Sequence, residues 1–337
     1  VYLCKYRMRE NIFLFWLKNA RCVALPQSML PALTAICLAY PSPEFSWIFA
    51  ALAVIGVAFG HLGINLWDDY FDYKNDYQNI RNRLNNSGIR ARTAKYNYLI
   101  SKEAGIRQLF FAASFFCGMA LLLGMVIFAK RGVIILIISA ITAFLGFGYS
   151  GRPFRFSYRG LGELVIALVF GPLLMSGVYL SAYGDFSTQL FFISIPVGLL
   201  VANVVYTHSV IDFEADKALN KKTLAVLLAE KNAVNFVLFL FIFLPFFLIG
   251  LGIFFKILSI WYAFVFVLLY EAVYLFRIIL LFQNGLREKI KPKWWMGPME
   301  NWDKIENAEI DWFMIRWYLA RNLLVFFCLI IIIVSLF

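Results

Sequence analysis

Apolar residues fill this chain in long unbroken runs, each closed by a cluster of charge, proline, glycine or asparagine. Nine such runs stand out, at about 22–41, 46–68, 108–128, 132–150, 161–182, 189–211, 232–254, 257–281 and 313–337. Each approaches the roughly 20 residues that a helix needs to cross a hydrocarbon core about 30 Å thick. The runs are continuous and do not alternate, so helices and not barrel strands are the spanning form. The pattern predicts an all-α fold, a polytopic membrane bundle of nine transmembrane helices forming a single domain over 1–337. Ahead of the first run, Asn11 to Leu17 is amphipathic and flanked by basic residues. That stretch reads as a helix lying in the interface and not as a cleavable signal peptide.

Spans two and six each end in an acidic cluster and lead into a polar segment. The parallel predicts pseudo-repeat halves at about 20–150 and 161–281, each delivering an acid-bearing helix end to one site, with an extra last span at 313–337.

Composition agrees with the pattern: 62% of residues are hydrophobic, which excludes a soluble domain. Charge adds orientation. With the N-terminus cytoplasmic, that side carries 28 of the 31 lysines and arginines, all but Lys130, Arg131 and Lys256. This bias predicts a multi-pass protein of the cell inner (plasma) membrane with both acidic clusters at the cytoplasmic face. The formal charge of +11 is then first a topology signal and second a sign of an anionic lipid or substrate; nucleic acid is not an expected partner. The five cysteines, Cys4, Cys22, Cys37, Cys117 and Cys328, lie scattered in or beside spans and read as small apolar residues.

The first acidic cluster runs from Asn65 to Asp76. On an ideal helix Asp69, Asp72 and Asp76 fall at roughly 0°, −60° and −20°, with Asn65 near −40° and Asp68 near −100°. One face carries all five oxygen-bearing side chains. In the second cluster Asp212 and Asp216 stand one turn apart, with His208 one turn earlier on the same face. Charge at a membrane boundary is costly enough to mark function. Aspartates on two facing helices suit Mg²⁺ better than zinc or copper, and Mg²⁺ commonly borrows phosphate oxygens from its ligand. The neighbouring basic segments, including Lys221 just past Asp216, fit a phosphate. The apolar bundle fits a lipid tail, and together they suggest a polyprenyl diphosphate. Its ionisation would give an allylic cation that aromatic faces stabilise, and Tyr149 is the aromatic candidate. His61 reads as a satisfied bundle residue. The competing class is a cation-coupled transporter, whose acids would sit nearer the bilayer midplane.

Taken together, these motifs resemble the UbiA superfamily of intramembrane aromatic prenyltransferases, whose first motif is Asn-Asp-x-x-Asp-x-x-x-Asp and whose second is Asp-x-x-x-Asp. Asp69, Asp72 and Asp76 match the first, and Asp212 and Asp216 the second. Arg21 with Leu25, Pro26, Ser28 and Pro31, the stretch from Tyr149 to Glu163, and Asn220 to Val226 are also similar. The likeness is greatest to the 1,4-dihydroxy-2-naphthoate prenyltransferases of menaquinone biosynthesis. It implies two Mg²⁺ ions held by the five aspartates, with Asp72, Asp212 and Tyr149 as catalytic residues. It further implies a diphosphate bound by Asn65, Arg92, Lys95, Arg155 and Lys221, and an aromatic acceptor near His208 and Arg21. A dihydroxynaphthoate acceptor would lose its carboxylate as CO₂; 4-hydroxybenzoate, homogentisate or another small aromatic are alternatives. The chain departs from the family pattern at Asp68 (usually Asn), Ile211 (commonly Arg), Asn220 (commonly Gly) and Ser157 (often Lys). Prenyl length and oligomeric state stay open.

Overall fold

The computed structural model describes residues 11–74, 96–218, 221–286 and 289–337. Of the residues named above, Cys4, Asp76, Arg92, Lys95 and Asn220 lie outside the described residues. Helices α1 (Ile12–Asn19), α2 (Pro26–Ala39), α3 (Trp47–Lys74), α4 (Asn97–Ile100), α5 (Ile106–Arg131), α6 (Val133–Ser150) and α7 (Gly162–Ala182) make the first part. The rest is α8 (Thr188–Ile211), α9 (Phe213–Ala218), α10 (Leu224–Leu228), α11 (Lys231–Phe254), α12 (Ile260–Gln283), α13 (Trp302–Asn307) and α14 (Asp311–Ser335). Among the described residues the only pairing of strand type is an isolated bridge between Arg159 and Lys222.

Eight helices, α3, α5, α6, α7, α8, α11, α12 and α14, are long and apolar enough to cross a membrane. The first predicted span is the exception. Its apolar run divides into a 3₁₀ turn at Cys22–Ala24 and the 14-residue α2, about 21 Å long and short of a full hydrocarbon core. Pro26 opens α2 where its missing N–H removes no helical bond. Among the described residues the bundle therefore holds eight spanning helices and a shorter α2, which packs against α7 and α14.

Helix length positions the acids. The 28 residues of α3 extend about 42 Å. A core of about 30 Å is crossed by roughly the first 20 of them, so Asp68, Asp69 and Asp72 emerge at headgroup depth. The 24-residue α8 ends at the same level, where Asp212 breaks the helix (φ −89°, ψ 16°) before α9 resumes. The Asp216 N–H still donates to the Asp212 carbonyl at 2.8 Å, which preserves the one-turn offset read from the sequence.

α8 packs against α7, α11 and α14. Its crossing with α7 depends on two glycines: a Cβ on Gly171 would lie 2.4 Å from the Ser194 carbonyl oxygen, and one on Gly198 2.3 Å from that of Ala167. Small residues of this kind let membrane helices approach backbone to backbone. Here they fix the register between the second acidic motif and the segment that enters α7. α14 begins at Asp311, two residues before the predicted start, and carries Arg316 and Arg321 within a helix of membrane-spanning length, as the run at 313–337 implied.

Candidate active site

Arg21 organises the acidic end of α3. It sits in the left-handed backbone region (φ 60°) between α1 and α2, and its Nη2 reaches the Asn65 carbonyl at 3.1 Å, Asp68 Oδ2 at 3.0 Å and Asp69 Oδ1. The Asn65 amide in turn donates to the Ala20 carbonyl at 3.0 Å, holding the turn that presents Arg21. Burial opposes the guanidinium charge, but Asp69 and Asp68 outweigh it, and the Arg21 pKa is raised. The second Asp69 oxygen accepts from the Tyr98 hydroxyl at 3.1 Å. Burial first, and Asp69 next, raise the pKa of that phenol and keep it a donor. Ser150 donates to the other oxygen of Asp68. Asp68, where the family usually has Asn, is thus bound to Arg21 and Ser150.

Tyr158 links the two acidic motifs. Its hydroxyl donates to Asp72 Oδ1 at 2.6 Å, the Arg155 guanidinium lies 4.4 Å from its ring centre, and Lys221 Nζ lies 5.9 Å from the same ring. Lys221 Nζ is also 4.0 Å from Asp216 Oδ1. On α8, His208 Nε2 meets Asp212 Oδ2 at 3.2 Å, and the His208 ring stands edge-on to Phe313 of α14. Ser209 donates to Glu163 Oε1 at 2.9 Å, tying the start of α7 to the end of α8. Asp69, Asp72, Asp212 and Asp216 are all buried, at 1–2% exposure.

Arg21, Asn65, Asp68, Asp69, Tyr149, His208 and Lys221 line one end of a cavity of about 1540 Å³, and Asp212 and Asp216 stand against the lining residues His208 and Lys221. Its walls follow α3 from Asp69 to Ala53 and continue along α5, α6 and α7, a depth of about 24 Å by the helical rise. The deep walls are apolar and include Gly56, Gly118, Gly124 and Gly177; a Cβ at Gly118 or Gly124 would meet only open space. Tyr149 lies among the charges of Asp68, Glu163 and Asp72. His61 also lines the cavity, with Nδ1 2.7 Å from Ser28 Oγ.

The donor set fits a hard cation. The four buried carboxylates supply oxygen alone, and Asp216 Oδ1 is buried with no hydrogen bond among the described residues. Among those residues no three His, Cys, Asp or Glu side chains converge on one point. An ion held there would complete its shell with water or ligand oxygens, as Mg²⁺ ordinarily does.

Sequence reasoning brought together Asn65, Asp69, Asp72, Asp212, Asp216, His208, Lys221, Arg155, Tyr149 and Arg21, and all lie at this end of the bundle. Two have different partners from those expected. Arg21 binds the first-motif carboxylates, and the Asn65 side chain holds a backbone turn. Tyr98, Ser150 and Tyr158 were not singled out. Tyr158 does fall within the Tyr149–Glu163 stretch, and its position between Arg155 and Arg159 was the available signal.

Buried carboxylates on two helices beside the polar end of a deep, mainly apolar cavity define an all-helical bundle of membrane-spanning length. Residues 28–297 match the UbiA prenyltransferase family, and the chain belongs to that family. It is similar to a 2-carboxy-1,4-naphthoquinone phytyltransferase of Synechocystis sp., with 32% identity over 55% of this chain and 54% of that protein. It is also similar to a 1,4-dihydroxy-2-naphthoate octaprenyltransferase of Bacillus subtilis, with 26% identity over 63% of this chain and 65% of that one. The matched region thus spans between half and two thirds of these relatives. In fold it resembles a digeranylgeranylglyceryl phosphate synthase (TM-score 0.64, 15% identity, 96% of this chain and 98% of that one). A UbiA homolog from Archaeoglobus fulgidus bound to GPP and Mg²⁺ is also similar (TM-score 0.56, 16% identity, 92% and 99%).

Proposed function

We propose that this protein transfers a polyprenyl group from a polyprenyl diphosphate to an aromatic acceptor, 1,4-dihydroxy-2-naphthoate, in a Mg²⁺-dependent reaction. The observation that carries the reading is the position of the buried carboxylates at the polar end of a mainly apolar cavity about 24 Å deep, with Asp69 on its wall and Asp212 and Asp216 against the lining residues His208 and Lys221. Family membership supports the chemistry, and the names of the two relatives support a naphthoate acceptor.

In this reading Asp69 and Asp72 on α3 and Asp212 and Asp216 beside α8, with Asp76, hold two Mg²⁺ ions. When bound, the metal neutralises the diphosphate as charge builds on it. Lys221 and Arg155, with Arg92 and Lys95, add cationic donors to the leaving group. The apolar walls hold the tail and keep water from the allylic cation, whose positive charge lies near the Tyr149 ring. The acceptor carbon supplies the electron pair for the new C–C bond. Loss of its carboxylate as CO₂ restores aromaticity, so carbon and charge balance without removal of a proton. We place this site on the cytoplasmic face of the cell inner (plasma) membrane, N-terminus inside, in one domain built from halves at about 20–150 and 161–281.

The test is to incubate membranes carrying the protein with a labelled prenyl diphosphate and a panel of acceptors, then identify products by mass. Decarboxylated prenylnaphthol product is expected with dihydroxynaphthoate, abolished by EDTA and restored by Mg²⁺. EDTA-insensitive turnover would overturn the metal assignment, and product solely with another acceptor would overturn the substrate. In the same assay Tyr158→Phe, which keeps the ring but removes the 2.6 Å bond to Asp72, should lower kcat roughly tenfold or more, the worth of one bond to a charged group. An unchanged kcat would remove Tyr158 from the machinery.

A further inference from the structure

Arg321 lies ten residues into α14, about 15 Å along a membrane-spanning helix, and beyond the 28–297 region that matches the family. An ionisable side chain at such depth is expensive and marks a functional site by default. Its Nε and Nη2 both donate to Asn322 Oδ1, at 3.1 and 3.0 Å, and Nη2 also donates to the Pro298 carbonyl at 2.7 Å. The guanidinium lies 4.5 Å from the Tyr318 ring centre and 5.8 Å from that of Trp317. Nη1, with two N–H groups, has no hydrogen-bond partner among the described residues. The side chain is half-buried and lines the 1540 Å³ cavity beside Trp317 and Asn322.

A purely structural role would be to anchor the segment before α14. That segment is already held without it: the Asn322 amide donates to the Met296 carbonyl at 2.6 Å, and the Tyr318 hydroxyl to the Glu300 carbonyl at 3.0 Å. The other cavity-lining cations have different surroundings. Arg21 is paired with Asp68 and Asp69, Lys221 faces Asp216, and Lys18 is exposed on α1. Arg321 has no carboxylate within ion-pair distance among the described residues; the exposed Glu300 on the same rim acts on its charge only through space.

Placement points the free donors toward the reaction end. Phe313, Trp317 and Arg321 follow one face of α14, and Phe313 touches the His208 ring that pairs with Asp212. Arg321 stands about 12 Å further along the helix, and helical side chains lean toward the N-terminus, here toward His208. We propose that Arg321 Nη1 receives the carboxylate of the aromatic acceptor against the Trp317 ring, making Arg321 a specificity-determining residue that selects carboxylated naphthols. This rests on the naphthoate reading above.

The experiment compares equilibrium binding of 1-hydroxy-2-naphthoate and 1-naphthol to the purified full chain by calorimetry, alongside turnover with dihydroxynaphthoate and 1,4-dihydroxynaphthalene. Wild type should prefer the naphthoate roughly tenfold to a hundredfold, the range for a hydrogen bond to a charged group. Arg321→Gln should bring that ratio close to one, leaving 1-naphthol affinity and the KM for prenyl diphosphate unchanged. An unchanged ratio, or equal weakening of both ligands, would overturn the proposal. If Arg321→Gln does not fold, Arg321→Lys is read instead: it keeps the charge but loses the planar fork, and a severalfold fall in the ratio is expected, with no change overturning. An Arg321-dependent binding ratio without dihydroxynaphthoate turnover would reject the function proposed above and leave this inference standing. Turnover with a ratio indifferent to Arg321 would do the reverse.

Discussion

Asp212→Asn should abolish prenyl transfer, lowering kcat by at least about a thousandfold while helix content and thermal stability stay close to wild type. The size follows from the several kcal/mol that metal-assisted charge stabilisation supplies, each 1.36 kcal/mol being tenfold in rate. Asp212 is buried at the break between α8 and α9, and one of its oxygens faces His208 at 3.2 Å. Asparagine keeps the shape but removes the charge that a cation needs. It also lightens the cost of burying a carboxylate, so loss of activity will not be accompanied by loss of fold. Asp72→Asn should behave alike, with its Tyr158 bond retained in weaker form. Product formation and circular dichroism on the same preparations decide the matter: near-normal turnover in either variant would sink the two-motif site.

The second large effect concerns stability. Arg21→Met should destabilise the protein by about 3 kcal/mol, because removing one member of a buried ion pair leaves the other charge uncompensated. Asp69 is nearly inaccessible and the Asp68 side chain only 10% exposed, and Arg21 Nη2 reaches both. Partial exposure of Arg21 sets the estimate at the low end of the range for such losses. Adding Asp68→Asn to Arg21→Met should recover part of the deficit, the rest staying with the more buried Asp69, since residues sharing one network couple strongly. Thermal unfolding in detergent measures both; an additive double variant would show that Asp68 and Arg21 do not act as a unit.

Much of the bundle was legible from the chain because its spans are local statements. A run of apolar residues without internal charge is helical in lipid whatever surrounds it, and eight spans follow. The first run misled because length was read without its internal punctuation. Pro26 starts a new helix, the residues before it turn, and only 14 residues remain for α2. Charge inside the last span is met by contacts that no local pattern shows: Arg316 is accommodated within the bundle by the Ile278 carbonyl, at 3.0 Å, and by the Phe282 ring.

The acidic face of α3 and the one-turn spacing of Asp212 and Asp216 were likewise determined by the sequence alone, since helical phase depends on nothing further away than the next turn. The length of α3 also sufficed to carry its acids out of the hydrocarbon. What tertiary structure decided is which partner each charge has. Arg21 neutralises Asp68 and Asp69, Tyr158 spans from Asp72 toward Lys221, and Arg321 faces the cavity with free donors. Those pairings depend on the register between packed helices, a register that between α7 and α8 is set by the backbone contact of Gly171 and Gly198. A linear pattern holds helical phase, but it does not hold the relative height and rotation of two packed helices.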